Sequence, residues 1–176
     1  MGDQSAFAVL ITRYKHMVHT VTSRVLRNKM DAEEATQDVF VKAFHRLAEF
    51  QGAGKFSTWL YSIAYSTAIT ALRRRKNGIL SIDYIQGHGA EPAEAALLPG
   101  QDRTAIIDRA LATLSPEDAA IVTMYYLEEM SVQEIVTITG TGASNVKVKL
   151  HRCRKKLFEA LHHLLKEEVW ILSANA

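Results

Sequence analysis

Aromatic side chains alternate with small polar ones in the stretch from Lys55 to Lys76, which ends in four consecutive cations. At 100° per residue, Trp59, Tyr65 and Ile69 lie on the arc opposite the apolar stripe of the same helix. Aromatic faces can stack unpaired bases while neighbouring cations bind phosphates. The stretch therefore predicts a surface for single-stranded nucleic acid. The alternative interpretation is that Trp59 and Tyr65 pack against another helix.

The energy available from such a surface limits what it can do alone. Stacking a base on an aromatic side chain contributes about 1–3 kcal/mol, whereas unstacking a duplex costs on the order of 1.4 kcal/mol per step. The surface could hold one or two exposed bases. Opening about ten base pairs costs roughly 14 kcal/mol by the same figure, so a larger partner must contribute.

A second nucleic-acid signal lies near the C-terminus, where helix, glycine-containing turn and helix follow one another as in a helix-turn-helix. On the second helix, an apolar stripe runs from Val146 to Leu157, and cations occupy most of the remaining surface. Val148 stands among the polar positions, where it could contact a thymine methyl group. A solvated basic helix without a ligand is the alternative. The candidate contacts to duplex DNA are Ser144, Asn145, Lys147, Val148, Lys149, Arg152 and Lys155.

Charge is divided unevenly along a chain whose formal net charge is +2. Residues 1–76 carry 12 Lys/Arg against 6 Asp/Glu, residues 77–130 carry 2 against 9, and residues 131–176 carry 7 against 4. Two basic segments that flank an acidic one favour contact with a polyanion at two places.

Composition and motifs exclude several function classes. No apolar run reaches the length of a bilayer span and no signal peptide is evident, so we expect a cytoplasmic protein without membrane contact. Cys153 is the single cysteine and is expected in the core. The seven histidines lack companions at metal spacing, and there is no nucleophile elbow, phosphate-binding glycine loop or acid–base pair. We expect no metal, no cofactor and no catalysis.

Helix signals dominate the chain, and they predict an all-α fold of two small helical domains joined by a flexible linker. The N-terminal domain spans residues 1–76, the linker 77–102 and the C-terminal domain 103–170. The run from Ile79 to Ile85 is compatible with a strand, a turn or a helix. Helix starts are predicted at Asp31 with Glu34, at Ser57, at Ser115 with Pro116, and at Ser131 with Glu134.

The stretch from Asp31 to Lys76, the segment "LSPEDAAIVTMYYLEEMSVQEI" and the helix "VKVKLHRCRKKL" together resemble the extracytoplasmic-function group of bacterial sigma factors of the sigma-70 family. The resemblance covers most of the chain and implies regions 2 and 4 of that family. It implies a subunit of RNA polymerase that recognises the minus-ten and minus-thirty-five promoter elements and opens DNA. It also implies an anti-sigma factor that keeps the protein inactive. We expect a monomer when the chain is free.

The resemblance assigns roles to residues of the N-terminal domain. The helix from Asp31 to Phe50 would dock on the clamp helices of the largest polymerase subunit, and the loop "FQGAGK" would receive a flipped base. The candidate polymerase contacts are Asp31, Glu34, Gln37, Asp38, Val41 and His45; the candidate minus-ten contacts are Gln51, Lys55, Trp59, Ser62, Tyr65, Ser66, Ile69, Arg73, Arg74 and Lys76.

The sequence departs from the family pattern at three positions. Ser66 and Thr70 stand where Asn and Asp are usual, and Val148 replaces a commoner small polar residue. Two other functions fit part of the sequence. A sigma-like mimic would bind an anti-sigma factor without binding promoters, but it has no need of the two basic clusters. A helix-turn-helix repressor would leave the aromatic face unexplained.

Overall fold

The computed structural model of the protein describes residues 4–52, 54–86 and 103–174, with side chains described within residues 5–52, 54–77 and 105–166. No β-strand occurs in these ranges, which confirms the all-α prediction. The helices are α1 (Gln4–Leu26), α2 (Lys29–His45), α3 (Phe56–Gln86), α4 (Arg103–Ala112), α5 (Pro116–Val122), α6 (Val132–Thr139) and α7 (Ala143–Ala174). A 3-10 turn, Leu47–Glu49, follows α2, and a π-helical turn, Thr123–Leu127, extends α5.

The two helix starts predicted in the C-terminal domain are confirmed. Ser115 accepts a hydrogen bond from the Asp118 amide at the start of α5, with Pro116 in the first turn. Ser131 and Glu134 form a complete capping box at the start of α6. These ends are predictable because capping depends only on residues within one turn.

The two helix starts predicted in the N-terminal domain are wrong by a few residues. Asn28 caps α2, and its side chain accepts a hydrogen bond from the Asp31 amide at 3.0 Å. Asp31 therefore lies in the first turn of the helix, where its negative charge interacts favourably with the positive end of the helix dipole. Ser57 lies inside α3, which begins at Phe56.

Helix α3 extends beyond the predicted end of the N-terminal domain. The run from Ile79 to Ile85 is helical, because α3 continues to Gln86, ten residues beyond Lys76. The first part of the predicted linker is thus helix, and residues 87–102 lie outside the described ranges.

Helices α1, α2 and α3 pack on one another in the N-terminal domain, and α4 to α7 form the C-terminal domain. The domains also contact each other, α1 against α5 and α3 against α6. Their buried side chains form one continuous apolar cluster, from Val21 and Leu60 to Ile135 and Val146. None of the described helices is long and apolar enough to span a bilayer.

Candidate nucleic-acid interface

The second helix of the helix-turn-helix, α7, presents the predicted basic face to solvent. Gly140 ends α6 in the left-handed conformation at φ +69°, a position that favours glycine, and so turns the chain towards α7. The apolar stripe is buried, with Val146, Leu150 and Cys153 all below 9% exposed, while Val148 is 41% exposed on the other side. The exposed polar candidates around Val148 are Ser144, Asn145, Lys147, Arg152 and Lys155.

Lys149 differs from the other candidates on α7. Its ammonium donates to Asp118 Oδ1 at 2.6 Å, and the lysine side chain is only 31% exposed. Asp118 belongs to the first turn of α5, so this ion pair joins the helix-turn-helix to the preceding helix. The sequence placed Lys149 on the solvent-facing side of α7, and in the structure it is half-buried there and paired with Asp118.

The inner stripe of α3 is buried as predicted. Leu60, Ile63, Ala64 and Ala68 are each at most 2% exposed. On the opposite side, polar and basic candidates are in contact with solvent. The exposed members are Ser66, Thr70, Arg73, Arg74 and Lys76, with Ser62 half-buried.

The expected exposure of the aromatic face is wrong in part. Ile69 is only 6% exposed, and Trp59 and Tyr65 are half-buried. Ile69 lies on a second stripe of α3, formed by Thr58, Tyr61, Tyr65 and Ile69 at spacings of three, four and four residues. A helix with two buried stripes packs on two sides, which the single-stripe prediction missed.

The C-terminal domain covers this second stripe. Thr58 Oγ1 donates to Glu134 Oε1 at 3.4 Å. Tyr61 is fully buried, and its hydroxyl makes no hydrogen bond of ordinary geometry within the described residues, although the Glu128 carboxylate is near enough to act on it. Burial, followed by the charge of Glu128, raises the pKa of Tyr61. Burial, followed by the charge of Glu117, raises the pKa of Tyr65 to about 12.

Trp59 belongs to an aromatic cluster at the start of α3. Its ring centroid lies 5.6 Å from Phe50 and 5.4 Å from Phe56, and Tyr14 contacts Phe56 at 5.4 Å. Tilted and edge-on contacts at such separations stabilise aromatic pairs by about 0.5–1.5 kcal/mol beyond the area they bury. The cluster holds Trp59 at the rim of a groove.

The groove has a volume of about 490 Å³ and opens between the loop before α3 and helix α6. Phe50, Gln51, Trp59 and Ser62 line one side, and Glu134 lines the other. Four of the predicted minus-ten contacts thus share one groove: Gln51, Lys55, Trp59 and Ser62.

Lys55, at the mouth of this groove, is paired with the C-terminal domain. Its ammonium lies 2.9 Å from Glu134 Oε1, and Glu134 also accepts the Ser131 backbone amide at 2.9 Å. The hydrogen bond from Lys55, followed by those from Ser131, lowers the pKa of Glu134 to about 2. Glu134 is therefore ionised at neutral pH, and it serves both the α6 cap and a contact between domains.

The candidate polymerase contacts form one exposed strip on α2. At 100° per residue, Glu34, Gln37, Asp38, Val41 and His45 lie within an arc of about 100°, and all five are exposed. Val41 is 56% exposed.

Two residues of the same region were not anticipated from the sequence. Met30 lies on the exposed strip of α2 and is 79% exposed. Arg75, within the cation run of α3, donates to Asp31 Oδ2 at 2.9 Å and to the Leu26 carbonyl at 3.3 Å. Asp31, predicted as a polymerase contact, therefore has an ion-pair partner on α3.

The described residues contain no group of histidine, cysteine or carboxylate side chains placed to hold a metal ion. What they contain is two separate helices whose exposed sides carry cations.

Family comparisons agree with this arrangement of helices. The family model "Sigma-70 region 2" matches residues 10–78, and "Sigma-70, region 4" matches residues 104–157. The ECF RNA polymerase sigma-E factor of Escherichia coli (strain K12) is 30% identical over 176 residues, covering 94% of this chain and 91% of that protein. The ECF RNA polymerase sigma factor SigW of Bacillus subtilis (strain 168) is 29% identical over 175 residues, covering 93% and 92%.

Solved structures share the fold. The sigma factor RpoE in complex with the anti-sigma factor NepR from Bartonella quintana superposes with a TM-score of 0.76 at 20% identity, covering 89% of this chain and 97% of that one. CnrH in complex with the cytosolic domain of CnrY superposes with a TM-score of 0.64 at 20% identity, covering 92% and 91%.

The two domains are thus regions 2 and 4 of a sigma-70-type transcription initiation factor. The chain belongs to the extracytoplasmic-function (ECF) sigma factors, which confirms the resemblance drawn from the sequence. It is accordingly a sigma factor in transcription initiation and not an enzyme.

Proposed function

We propose that this sigma factor docks on core RNA polymerase through α2, engages the minus-ten element through α3, and reads minus-thirty-five duplex DNA through α7. The observation that carries the proposal is the exposed side of α7. It combines Val148 with exposed cations such as Arg152 and Lys155. Apolar contact recognises a thymine methyl group, and cations bind phosphates.

The polymerase contact is supported by the composition of the exposed strip on α2. Met30 and Val41 are apolar and strongly exposed, and carboxylates such as Glu34 and Asp38 lie between them. Exposed apolar side chains that share one face of a helix suit a surface that another protein covers, because burial removes them from water. The partner we propose is the clamp-helix pair of the largest polymerase subunit.

The minus-ten contact is supported by the groove beside Trp59. Trp59 lies at its rim, Gln51 and Ser62 line it, and Arg73 and Arg74 are exposed further along α3. An aromatic rim with polar groups inside suits a base extruded from the duplex, and the cations suit the phosphates of the strand.

We further propose that an anti-sigma factor binds this protein, because one structural relative described above, RpoE, is a sigma factor in complex with the anti-sigma factor NepR. The proposed site of action is the bacterial cytoplasm, where core polymerase transcribes the genome. We also propose that the chain is a monomer when free, because the proposed partner of its exposed surface is the polymerase and not a second copy of the chain.

The decisive experiment combines the purified protein with sigma-free bacterial core polymerase on fragmented genomic DNA and maps transcript starts. Thymine reactivity at the same sites reports unpaired strands. We expect discrete starts with open bubbles that disappear when either component is omitted. Absence of starts with folded protein would overturn the proposal in favour of a mimic that binds only an anti-sigma factor.

A matched pair of variants tests the docking surface in the same assay. Val41→Glu places a charge in the exposed strip of α2 and should abolish core binding. Val9→Glu makes the same change at a 67% exposed valine on α1 and should leave core binding intact. Equal effects of the two variants would contradict docking through α2.

A further inference from the structure

Three hydroxyl side chains form a row along the proposed minus-ten side of α3. Ser62, Ser66 and Thr70 follow one another at intervals of four residues, so they share one side of the helix with about 6 Å between successive positions. Ser62 is half-buried, and Ser66 and Thr70 are exposed. Ser66 and Thr70 are also the two positions of this helix at which the sequence departs from the family pattern. What the row offers a base depends on where its hydroxyl protons point.

The row joins two concave sites. Ser62 lines the groove beside Trp59. Thr70, about 12 Å further along the helix axis, lines a second cleft together with Arg74. This cleft lies between α2 and α3 and has a volume of about 270 Å³. A strand that leaves the groove and is bound through a phosphate by Arg74 passes all three hydroxyl groups, and the distance of about 12 Å corresponds to three or four base steps of about 3.4 Å.

Each hydroxyl of the row donates its one proton to its own helix. Ser62 Oγ donates to the Trp59 carbonyl at 2.7 Å. Ser66 Oγ donates to the Ile63 carbonyl at 3.1 Å, and Thr70 Oγ1 donates to the Ser66 carbonyl at 2.8 Å. A carbonyl oxygen cannot donate, so the proton in each contact belongs to the hydroxyl. Such bonds are common for serine and threonine within helices, and they leave each hydroxyl oxygen with lone pairs but no proton for an outside partner.

The four bases fall into two classes according to the group that such an acceptor meets. Adenine N6 and cytosine N4 are amino groups and donate, whereas guanine O6 and thymine O4 are carbonyl oxygens and accept. A hydroxyl that is free to rotate suits either class, because it can donate or accept. A hydroxyl bonded to its own helix accepts from an amino group as it stands. To donate to a base carbonyl it must first give up its bond to the helix.

We propose that the row formed by Ser62, Ser66 and Thr70 selects adenine or cytosine over guanine and thymine in the strand of the minus-ten element that it contacts. This inference rests on the proposed engagement of the minus-ten element by α3. Ser66 and Thr70 carry most of the selection, because they are the exposed members of the row. One net hydrogen bond of about 1 kcal/mol corresponds to a preference of about fivefold at each contacted position.

Two substitutions on α3 remove the acceptors while the helix is kept. Ser66→Ala deletes one hydroxyl at an exposed site and introduces a stronger helix former. Thr70→Val keeps a branched side chain of similar size and removes only the oxygen. Thr12→Val is the matched control, because Thr12 on α1 is exposed and donates to the Ala8 carbonyl at 3.0 Å in the same way.

The first measurement determines the base preference of the parent chain. Holoenzyme assembled from core polymerase and the full-length protein is offered a promoter found by start mapping, with its minus-ten element randomised. We expect adenine or cytosine to be enriched about fivefold at two or more positions of one strand, within a window of about four bases. Ser66→Ala and Thr70→Val should each abolish the enrichment at one position, and Thr12→Val should retain it at all of them.

Two results of this selection would overturn the proposal while the proposed function stands. One is enrichment of guanine or thymine at the positions that Ser66→Ala and Thr70→Val alter. The other is a base preference that neither substitution changes. Failure of the parent holoenzyme to initiate at any promoter would instead overturn the proposed function, and this inference with it.

The second measurement changes the base and leaves the protein intact. The probe is forked DNA in which the selected strand of the minus-ten element is unpaired, so base pairing does not enter the comparison. At a selected adenine, purine deoxyriboside lacks only the amino group, and deoxyinosine carries a carbonyl group in its place. At a selected cytosine, the deoxyriboside of 2-pyrimidinone lacks only the amino group.

Holoenzyme of the parent chain should bind the probe without the amino group about fivefold more weakly, and the deoxyinosine probe more weakly still. Holoenzyme of the variant that lacks the contacting hydroxyl should bind the natural and the altered probes alike. Fluorescence anisotropy of labelled DNA measures these affinities. Equal binding of all probes by the parent holoenzyme would overturn the proposal.

Discussion

The two helices proposed to bind DNA carry similar side chains but differ in what covers them. On α7, Val148 is 41% exposed and faces solvent with its neighbouring cations. On α3, Ile69 is 6% exposed and Tyr65 is half-buried beside the C-terminal domain. Side chains that suit base stacking also suit packing against protein, so the same chemistry serves a free surface in one helix and a contact between domains in the other.

The largest effect of this difference should appear in stability. Tyr61→Ala should lower the free energy of unfolding by about 3 kcal/mol, because a fully buried aromatic ring leaves a cavity. Val148→Ala on the exposed side of α7 should change it by less than about 0.5 kcal/mol. Urea unfolding followed by circular dichroism measures both.

The variant Tyr61→Phe separates the contribution of the hydroxyl from that of the ring in the same measurement. The buried hydroxyl of Tyr61 makes no hydrogen bond of ordinary geometry among the described residues, and the neighbouring Glu128 carboxylate is its nearest acceptor. Removal of the hydroxyl should therefore leave stability unchanged or higher. A loss as large as that of Tyr61→Ala would show that the hydroxyl, and not the ring, holds α3 against the C-terminal domain.

The next effect should appear in duplex binding by α7. If Arg152 and Lys155 each bind one phosphate, replacing both with Ala should flatten the log–log salt dependence of affinity by about 1.8. At 0.1 M salt this corresponds to roughly 60-fold weaker binding if affinity at 1 M is unchanged. The measurement is a salt titration of holoenzyme on minus-thirty-five duplex, with exposed Lys166→Ala on the same helix as the control. Identical slopes for all three proteins would rule out these phosphate contacts.

A smaller effect is expected at Trp59. Loss of one stacking contact costs about 1–3 kcal/mol, so Trp59→Ala should reduce strand opening by about 5-fold to 150-fold. Thymine reactivity in the holoenzyme reports opening, and a binding assay reports core affinity, which should change little. Equal loss of both would show that the cluster with Phe50 and Phe56 mainly maintains the fold.

The smallest effect concerns base reading by Val148. Truncation to Ala removes two methyl groups, of which about one would be buried against the thymine methyl group; its loss costs about 0.8 kcal/mol, or roughly fourfold in affinity for the preferred minus-thirty-five site. The effect should vanish on DNA in which deoxyuridine, which lacks the methyl group, replaces the contacted thymine. A fourfold loss that persists on deoxyuridine DNA would assign Val148 a different contact.

Much of the fold could be predicted from local sequence. The buried stripe of α7, the exposed strip of α2 and the capping box at Ser131 follow from spacings of a few residues. Helical periodicity and capping act within one or two turns, so no knowledge of distant segments is needed. The resemblance of two segments to family motifs also predicted the order of the two domains.

The side of α3 that the C-terminal domain covers was harder to predict from the sequence. The spacing of Thr58, Tyr61, Tyr65 and Ile69 was visible in the sequence and could have indicated a second packing side. Nothing local, however, distinguishes a stripe that packs on protein from one that stacks bases. Both need apolar and aromatic side chains at helical spacing.

The sequence by itself therefore determined the class of fold, the helix periodicities and the basic character of two helices, because these depend on neighbours along the chain. The tertiary structure alone decided which cations are paired and which aromatic side chains are covered. Lys149 pairs with Asp118 across 31 positions, and Thr58 binds Glu134 across 76. Contacts at such separations depend on how whole helices pack, which no local spacing specifies.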